Sequence, residues 1–224
     1  MENSLTKIIC VSFTIVGLSI LSACTGITGM AAETEPRSPM MVVTANPHAT
    51  EAGLEVLKSG GSAVDAAVAI EAVLSLVEPQ SSGLAGGAFM VHFDNNTKTI
   101  AVYDGRETAP KAIDENLFIG LDGKPLGYIE AKNSGLSTGV PGAVAMLSLA
   151  HADHGSLQWS SLFQSAQNLA VSGFEVSPRL YGTLKAFSRY IPNTIDEGPT
   201  DAWRYFYDAN GQPRPVGYLL KNPD

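Results

Sequence analysis

Cysteine is almost absent from this sequence of 224 residues, and its two cysteines, Cys10 and Cys24, both lie near the N-terminus. Two cysteines are too few for a fold held together by disulfides. Positive charge is also scarce, because 14 Lys and Arg face 22 Asp and Glu, which gives a net charge of −8. Binding of phosphate backbones needs a basic face, so this balance argues against nucleic acid as the partner.

The remaining composition is that of a globular protein, with 45% hydrophobic and 16% charged residues. These values exclude disorder, collagen and coiled coil. The 22 Gly and 13 Pro are spread along the chain, which indicates many short elements joined by turns. The length fits one domain with a substantial core.

An apolar run from Ile8 to Leu21 follows a short polar start that carries Lys7. The run is shorter than the roughly 20 apolar residues of a membrane span and is typical of a signal peptide. It ends in Leu21-Ser22-Ala23-Cys24, which resembles the lipobox of bacterial lipoproteins. We therefore predict a lipoprotein signal peptide over residues 1–23, lipidation of Cys24 and a polar tether over residues 24–39. Ordinary signal cleavage near Ala31 is the alternative.

The residue after Cys24 is Thr25, and an Asp there would retain a lipoprotein at the inner membrane. The absence of Asp after Cys24 predicts that the lipoprotein lies at the periplasmic face of the outer membrane. A soluble periplasmic or secreted protein is the alternative. Once Cys24 is acylated, no cysteine remains as a nucleophile in the mature chain.

Hydrophobic patterns and capping residues predict the elements of residues 40–224, which we assign to one incomplete domain. A buried strand is predicted over residues 40–45, and a hairpin over residues 89–93 and 99–103. Helices are predicted over residues 47–58, 63–77, 141–151, 159–172 and 178–189. Residues 111–135 are predicted to be irregular, with a turn at Gly123. Residues 191–224 are predicted to end without a final helix or strand that closes the domain. This order predicts an α/β (α+β) fold class with antiparallel pairing.

Two patterns resemble catalytic motifs without their context. Residues 135–139 match G-x-S-x-G, but no buried strand precedes Ser137 and no helix follows it directly, so a loop is the better interpretation. His151 and His154 could form a metal pair, yet they lie at a predicted helix end where His meets the last carbonyls. No third ligand cluster accompanies them, and His48 and His92 are isolated in the sequence.

The segment 81–87 is rich in Gly and Ser but lacks the spacing of a phosphate loop. We predict that its backbone crosses closely past another layer of the fold, where a side chain would not fit.

Arg106 is the candidate binding residue. It lies in a polar loop directly after a predicted strand, between Asp104 and Glu107. Two interpretations remain open at this point: a surface Arg paired with a nearby acid, or a guanidinium that grips a substrate carboxylate with two parallel hydrogen bonds.

Five ordered segments together resemble the gamma-glutamyltranspeptidase family. They are residues 60–67 (GGSAVDAA), 78–90 (EPQSSGLAGGAFM), 104–110 (DGRETAP), 137–142 (STGVPG) and 173–178 (GFEVSP). They keep the family's order and cover nearly all of residues 40–224. The resemblance implies an N-terminal-nucleophile hydrolase, a four-layer αββα sandwich, of which this sequence covers the N-terminal part.

The resemblance implies a precursor that cleaves itself into a large and a small subunit, and a small subunit that begins with the nucleophilic Thr. The resemblance implies glutathione and other γ-glutamyl compounds as donors, and water, amino acids or peptides as acceptors. It assigns Arg106 to the α-carboxylate of the γ-glutamyl group, and it gives Glu107 no catalytic role. We expect no cofactor and no metal.

No segment of this sequence resembles the Thr motif of the small subunit. We therefore expect residues 1–224 to be an N-terminal fragment that lacks a catalytic residue and is inactive alone. A related acylase or capsule depolymerase of the same fold, or a non-catalytic lipoprotein remnant, is the alternative.

Overall fold

The computed structural model describes residues 40–190 and 200–222. These residues belong to one unit, Met40–Asp224. The predicted signal peptide, Cys24 and the predicted tether lie outside the described residues. Within the described part of the chain, no helix combines the length and apolar composition that crossing a bilayer requires.

The first helix, α1 (Pro47–Lys58), has its predicted bounds. The side chain of Asn46 accepts a hydrogen bond from the backbone N–H of the exposed His48 at 3.1 Å. This cap satisfies an amide that the helix itself leaves without a partner, and Pro47 suits the first helical position. After the helix, Gly60 has a φ of 89°, a left-handed conformation that glycine adopts without strain.

The second helix, α2 (Ala63–Val77), also has its predicted bounds. The hydroxyl of Ser62 accepts the N–H of Asp65 at 3.1 Å, and the carboxylate of Asp65 accepts the N–H of Ser62 at 2.8 Å. This is a capping box. The same fully buried carboxylate also accepts the N–H groups of Ser156 and Leu157, at 2.9 and 3.2 Å. Asp65 therefore joins the start of α2 to a segment that is distant in the sequence.

Helix α2 is apolar nearly all round and largely buried, as its sequence predicts, and it contributes to two hydrophobic clusters. Around its C-terminal half, the buried cluster consists of Ala49, Ala52, Val73, Val77, Phe174, Val176, Leu180, Leu184, Tyr207 and Leu220. Around its N-terminal half, the buried cluster consists of Val64, Val68, Ala69, Tyr103, Met146, Leu147, Ala150 and Leu162. This helix is therefore the centre of the core.

Strands β1 (Ala88–Asp94) and β2 (Thr99–Gly105) form the predicted antiparallel hairpin. Their inner face packs against α2 and a later helix, α4 (Ala143–His154). On this face the hydroxyl of Tyr103 donates a hydrogen bond to the carboxylate of Asp153 at 2.9 Å. Burial and the neighbouring carboxylate raise the pKa of the Tyr103 phenol, so it remains protonated and continues to donate.

The outer face of the hairpin carries apolar side chains that no other described residue covers. In the strand register, Val91 lies opposite Val102, and Phe93 lies opposite Ile100. Five large apolar side chains on this face are 55% to 70% exposed: Phe89, Val91, Phe93, Ile100 and Val102. Apolar side chains grouped in this way mark a surface that packs against another element.

The prediction of a buried strand over residues 40–45 is wrong. These residues have no regular secondary structure, and the side chains of Met41 and Val43 are each 84% exposed. An extended segment becomes a strand only when a neighbouring strand pairs with its backbone groups. Among the described residues, no strand pairs with this segment.

The irregular stretch predicted over residues 111–135 contains a short helix, α3 (Tyr128–Asn133). Its N-cap, Gly127, has no side chain to cap it, so the sequence carries no helix-start signal there. The predicted turn at Gly123 is confirmed by its φ of 73° and by pairing of Ile119 with Pro125.

Two predicted helices have different bounds or geometry. Helix α4 begins at Ala143, two residues later than predicted, because Gly142 is its N-cap. The single helix predicted over residues 159–172 is a 3-10 turn (Trp159–Phe163) followed by α5 (Gln164–Ser172). Short 3-10 segments of this kind are common at helix starts.

The helix predicted over residues 178–189 is α6 (Pro178–Phe187), and a 3-10 turn (Ser188–Tyr190) follows it. Its start is confirmed, since the hydroxyl of Ser177 accepts the N–H of Leu180 at 3.0 Å.

The expectation that residues 191–224 lack a terminating element is wrong. They contain α7 (Asp201–Phe206) and β4 (Leu219–Leu220). Strand β4 pairs antiparallel with β3 (Phe174–Glu175), and Leu220 is buried in the first cluster. This pairing joins distant segments, so local sequence patterns do not reveal it. The described residues contain helices and two antiparallel two-stranded sheets, which confirms the mixed α+β class.

Candidate active site

Three of the five resembling segments meet at the C-terminal end of β2: residues 78–90, 104–110 and 137–142. Thr108 and Val140 exchange backbone hydrogen bonds of 3.3 and 2.8 Å. The carbonyl of Gly86 accepts the N–H groups of Gly142 and Ala143, at 3.2 and 3.1 Å, where α4 begins. These bonds satisfy amides at the helix start and fix the glycine-rich segment to it.

The end of β2 also lies directly against the first turn of α4. A Cβ added at Gly142 would lie 2.6 Å from the carbonyl oxygen of Gly105. A Cβ added at Gly105 would lie 2.5 Å from the Cβ of Met146. Only hydrogen fits at these two positions, so the loop that begins at Arg106 leaves a firmly held strand end.

The other two segments lie elsewhere in the fold. Residues 60–67 contain the capping box of α2. In residues 173–178, Gly173 has a φ of 97° and passes so close to β4 that an added Cβ would lie 2.8 Å from the carbonyl oxygen of Leu220. We therefore assign these two segments a structural role.

Arg106 lies at the turn after β2. Its backbone N–H donates to the carboxylate of Asp104 at 2.9 Å, which fixes the turn. Its side chain is 56% exposed, and its Nη1 lies 3.2 Å from Oε2 of Glu107. The structure thus shows the acid pairing that the first interpretation predicts, and it also leaves much of the guanidinium accessible to a ligand.

The side chain of Glu107 runs between two glycines from different segments. A Cβ added at Gly87 would lie 2.5 Å from Oε2 of Glu107 and 2.8 Å from its backbone nitrogen. A Cβ added at Gly139 would lie 2.8 Å from the Cβ of Glu107. This confirms that the glycine-rich segment crosses closely past another part of the fold. At Gly83, by contrast, an added Cβ meets nothing within 4 Å.

Glu78 fixes the start of the glycine-rich segment and is only 2% exposed. Its carboxylate accepts hydrogen bonds from the Asn46 amide at 3.0 Å, the Gln80 amide at 2.6 Å and the Arg179 guanidinium at 2.7 Å. Such donors offset the cost of removing a carboxylate from water. The segment is therefore held at Glu78 and again at Gly86.

A cleft of about 480 Å³ opens beside Arg106. Its polar lining includes Arg106, Glu107, Thr108, Ser137 and Thr138, and its apolar lining includes Ile113, Leu117, Phe118 and Leu136. Apart from Arg106, none of these residues is predicted from the sequence to line a cleft. The signal available for the apolar wall was a set of apolar residues within the stretch 111–135.

A larger cleft of about 590 Å³ runs along α1 and is lined by Glu51, Glu55 and Lys58 among others. It shares no lining residue with the cleft beside Arg106. We place the candidate site at Arg106 because the resembling segments converge there.

Ser137 is not arranged as a nucleophile. It ends a 3-10 turn (Gly135–Ser137), and its hydroxyl donates to the carbonyls of Lys132 and Ser134 at 2.9 and 3.0 Å. The loop interpretation of G-x-S-x-G is therefore confirmed, because a nucleophile elbow requires a strand directly before the Ser.

His151 and His154 contact different partners. The Nε2 of His151 lies 2.9 Å from the carbonyl oxygen of Leu157 and 3.4 Å from Oδ1 of Asp65. The ring of His154 stacks on His92 with centroids 4.0 Å apart, so His92 is not isolated in the fold. In residues 40–190 and 200–222, no three His, Cys, Asp or Glu side chains are arranged to hold a metal ion.

Comparison with known proteins gives consistent matches. The profile of the gamma-glutamyltranspeptidase family matches residues 49–224. The chain is 34% identical over 184 residues to a glutathione hydrolase proenzyme of Bacillus subtilis (strain 168), covering 82% of this chain and 30% of that protein. It is 43% identical over 144 residues to Scoloptoxin SSD14 of Scolopendra dehaani, covering 64% of this chain and 24% of that protein.

The same family appears among solved structures. The crystal structure of Helicobacter pylori gamma-glutamyltranspeptidase matches with a TM-score of 0.75 and 29% identity, covering 84% of this chain and 52% of that chain. The fold is that of the N-terminal-nucleophile hydrolases. Within that class, the chain belongs to the gamma-glutamyltranspeptidase family. It spans between 24% and 30% of the length of the two curated relatives described above.

Proposed function

We propose that this chain is the N-terminal part of the large subunit of an exported γ-glutamyltransferase or glutathione hydrolase. The complete protein cleaves the γ-glutamyl amide of glutathione and related compounds. The observation that carries this proposal is the position of Arg106. Its accessible guanidinium lines a cleft at the place where three family segments converge.

Arg106 binds the α-carboxylate of the γ-glutamyl group. A guanidinium presents two parallel N–H donors to one carboxylate, and this planar match fixes orientation as well as charge. The position of the turn supports this role, because the end of β2 packs directly against the first turn of α4 and Asp104 accepts the backbone N–H of Arg106.

The bond-breaking chemistry belongs to the Thr that begins the small subunit, which lies beyond these 224 residues in our proposal. Its hydroxyl oxygen forms a bond to the γ-carbonyl carbon while the Thr amine accepts the hydroxyl proton. The C–N bond then breaks, and the leaving amine takes up that proton. Water or an acceptor amine next attacks the γ-glutamyl ester, which releases the Thr hydroxyl.

The exposed apolar face of the hairpin supports the proposal that a second subunit packs against this chain. Val91 and Val102, paired across the two strands, are 70% and 66% exposed. In an αββα sandwich this face packs against a second sheet, and face-to-face sheets bury apolar side chains of this kind. We propose that strands of the small subunit cover it.

Export is proposed on the sequence of residues 8–24 alone. An apolar run followed by a lipobox-like Leu21–Cys24 supports a signal peptide and a lipid anchor at the periplasmic face of the outer membrane.

The experiment is to express the complete gene, purify its product and incubate it with a γ-glutamyl anilide. We expect self-cleavage into two subunits, release of the free aniline and a mass increase of one γ-glutamyl residue on the small subunit. A product that neither cleaves itself nor releases the aniline or glutamate from the substrate would overturn the proposal.

A further inference from the structure

Glu107 is a charged residue of the site to which the reaction above assigns no role. Its side chain is 30% exposed, and its Oε2 lies 3.2 Å from Nη1 of Arg106. The pair joins residues adjacent in the chain, and both line the same cleft.

The space that Glu107 occupies is made by glycines from two other segments. Gly87 faces the carboxylate and backbone nitrogen of Glu107, and Gly139 faces its Cβ. At each of these positions a Cβ would lie within 2.8 Å of Glu107, a distance that real Cβ contacts essentially never show. The Glu107 side chain therefore packs closely against the backbone of two other segments.

We propose that Glu107 is a positioning residue that sets the guanidinium of Arg106 for the substrate carboxylate. This inference rests on the proposed function, since it assumes that Arg106 binds the α-carboxylate. Gly87 and Gly139 form the seat that holds Glu107 in place. The glycine-rich segment thereby acts on substrate binding without touching the substrate.

Geometry favours positioning over competition with the substrate. Arg has five N–H donors, and the contact to Glu107 is made at Nη1. The other donors remain to form the two parallel bonds to a substrate carboxylate. Asp104 has a separate task, because its carboxylate accepts the backbone N–H of Arg106 and so fixes the turn instead of the guanidinium.

The first test compares Glu107→Gln and Glu107→Ala in the complete gene product. We expect each to raise KM for a γ-glutamyl anilide about ten-fold, the size of one lost charge-assisted contact, with kcat falling less. For a 4-aminobutanoyl anilide, which lacks the α-carboxylate, neither variant changes KM. The control Glu115→Gln removes the same charge from an exposed position outside the cleft lining and leaves both substrates unaffected.

The second test displaces Glu107 without changing it. Gly87→Ala places a methyl group against the carboxylate of Glu107, so we expect the same selective loss for the γ-glutamyl anilide. Gly83→Ala is the matched control, because it lies in the same segment and its added Cβ meets nothing within 4 Å.

The outcomes separate this inference from the proposed function. If the wild-type protein does not release aniline from the γ-glutamyl anilide, the proposed function fails and this inference fails with it. If the wild type is active and the Glu107 variants keep its KM, lower it, or lose activity equally on both anilides, the positioning role alone is overturned. If the Glu107→Ala protein does not accumulate, the kinetic results of Glu107→Gln and Gly87→Ala decide whether Glu107 positions Arg106.

Discussion

Nη1 of Arg106 lies 3.2 Å from Oε2 of Glu107, while 56% of the Arg106 side chain stays exposed beside the cleft. An arginine held at one point and open elsewhere is suited to bind a carboxylate with two parallel bonds. Lys keeps the charge but lacks the planar fork. We therefore expect Arg106→Lys to raise KM for a γ-glutamyl anilide about ten-fold, and Arg106→Ala about a hundred-fold, in the complete gene product.

Steady-state kinetics measure both effects, and gel electrophoresis follows self-cleavage. Both variants should still cleave themselves, because we propose that the nucleophilic Thr lies in the small subunit. The control Lys111→Ala removes an exposed positive charge from the segment that follows the Arg106 loop and should leave KM unchanged. If Arg106→Ala retains the wild-type KM, the acid-paired surface Arg is the correct interpretation.

The chain of 224 residues should not act alone. It lacks a segment that resembles the family's nucleophile, so residues 1–224 purified by themselves should release no chromophore from a γ-glutamyl anilide. The comparison is a mock preparation assayed in parallel. Turnover clearly above that background would mean that these residues contain a nucleophile that we have not identified.

Asp65 should be important for stability. Its buried carboxylate accepts the N–H groups of Ser62, Ser156 and Leu157, and its removal leaves those amides without an acceptor. Because hydrogen bonds to a charged group contribute about 1.5 to 3 kcal/mol each and three are lost together, we expect Asp65→Ala to lower the free energy of unfolding by about 3 kcal/mol. Asp65→Asn should cost less, since its amide oxygen still accepts some of these bonds.

Hydrogen exchange on the complete gene product localises this effect. Amides of residues 62–66 and 155–157 should exchange faster in Asp65→Ala, and the exposed control Glu51→Gln should leave them unchanged. Unchanged exchange in Asp65→Ala would show that the carboxylate does not hold these two segments together.

How far the sequence predicts the fold depends on how local the determining contacts are. Helices α1 and α2 have their predicted bounds because Asn46, Ser62 and Asp65 cap them within three residues. Residues 40–45 and strand β4 could not be predicted, because a strand is defined by a partner that can lie anywhere in the chain. Helix α3 starts at Tyr128, and its N-cap Gly127 has no side chain that could signal a helix start.

In the candidate site, too, local features could be predicted from the sequence and contacts between distant segments could not. Arg106 and its pairing with an adjacent acid could be predicted from the motif and its place after a strand. The sequence did not show that Glu107, and not Asp104, pairs with the guanidinium, or that the pair lines a cleft. The seat of Glu107 depends on Gly87 and Gly139, which come from separate segments that meet through the Gly86 and Val140 backbone bonds. No local pattern reports such a convergence.

The outer face of the hairpin should be required for assembly. Burying two unpaired Lys side chains between sheets is costly, so Val91→Lys combined with Val102→Lys should prevent stable association of the two subunits. Asn96→Lys, at the exposed hairpin turn, is the control. Copurification of a tagged large subunit with the small subunit measures the effect. Normal copurification of the double variant would place the small subunit on a different surface.

Cys24 should carry a lipid. The lipobox-like Leu21–Cys24 predicts that Cys24→Ala abolishes incorporation of labelled palmitate and leaves unprocessed precursor. Cys10→Ala is the matched control because it removes the other cysteine from the apolar run. If the wild-type protein takes up no label, ordinary signal cleavage near Ala31 is the correct interpretation.

The most direct test of the central claim is a comparison of Arg106→Ala with the wild type on two substrates, in the complete gene product. One substrate is the γ-glutamyl anilide, and the other is the 4-aminobutanoyl anilide, which lacks the α-carboxylate. If Arg106 binds that carboxylate, the substitution lowers kcat/KM about a hundred-fold for the first substrate and hardly at all for the second. An equal loss of kcat/KM on both substrates would contradict the account, because Arg106 would then act on something other than the γ-glutamyl carboxylate.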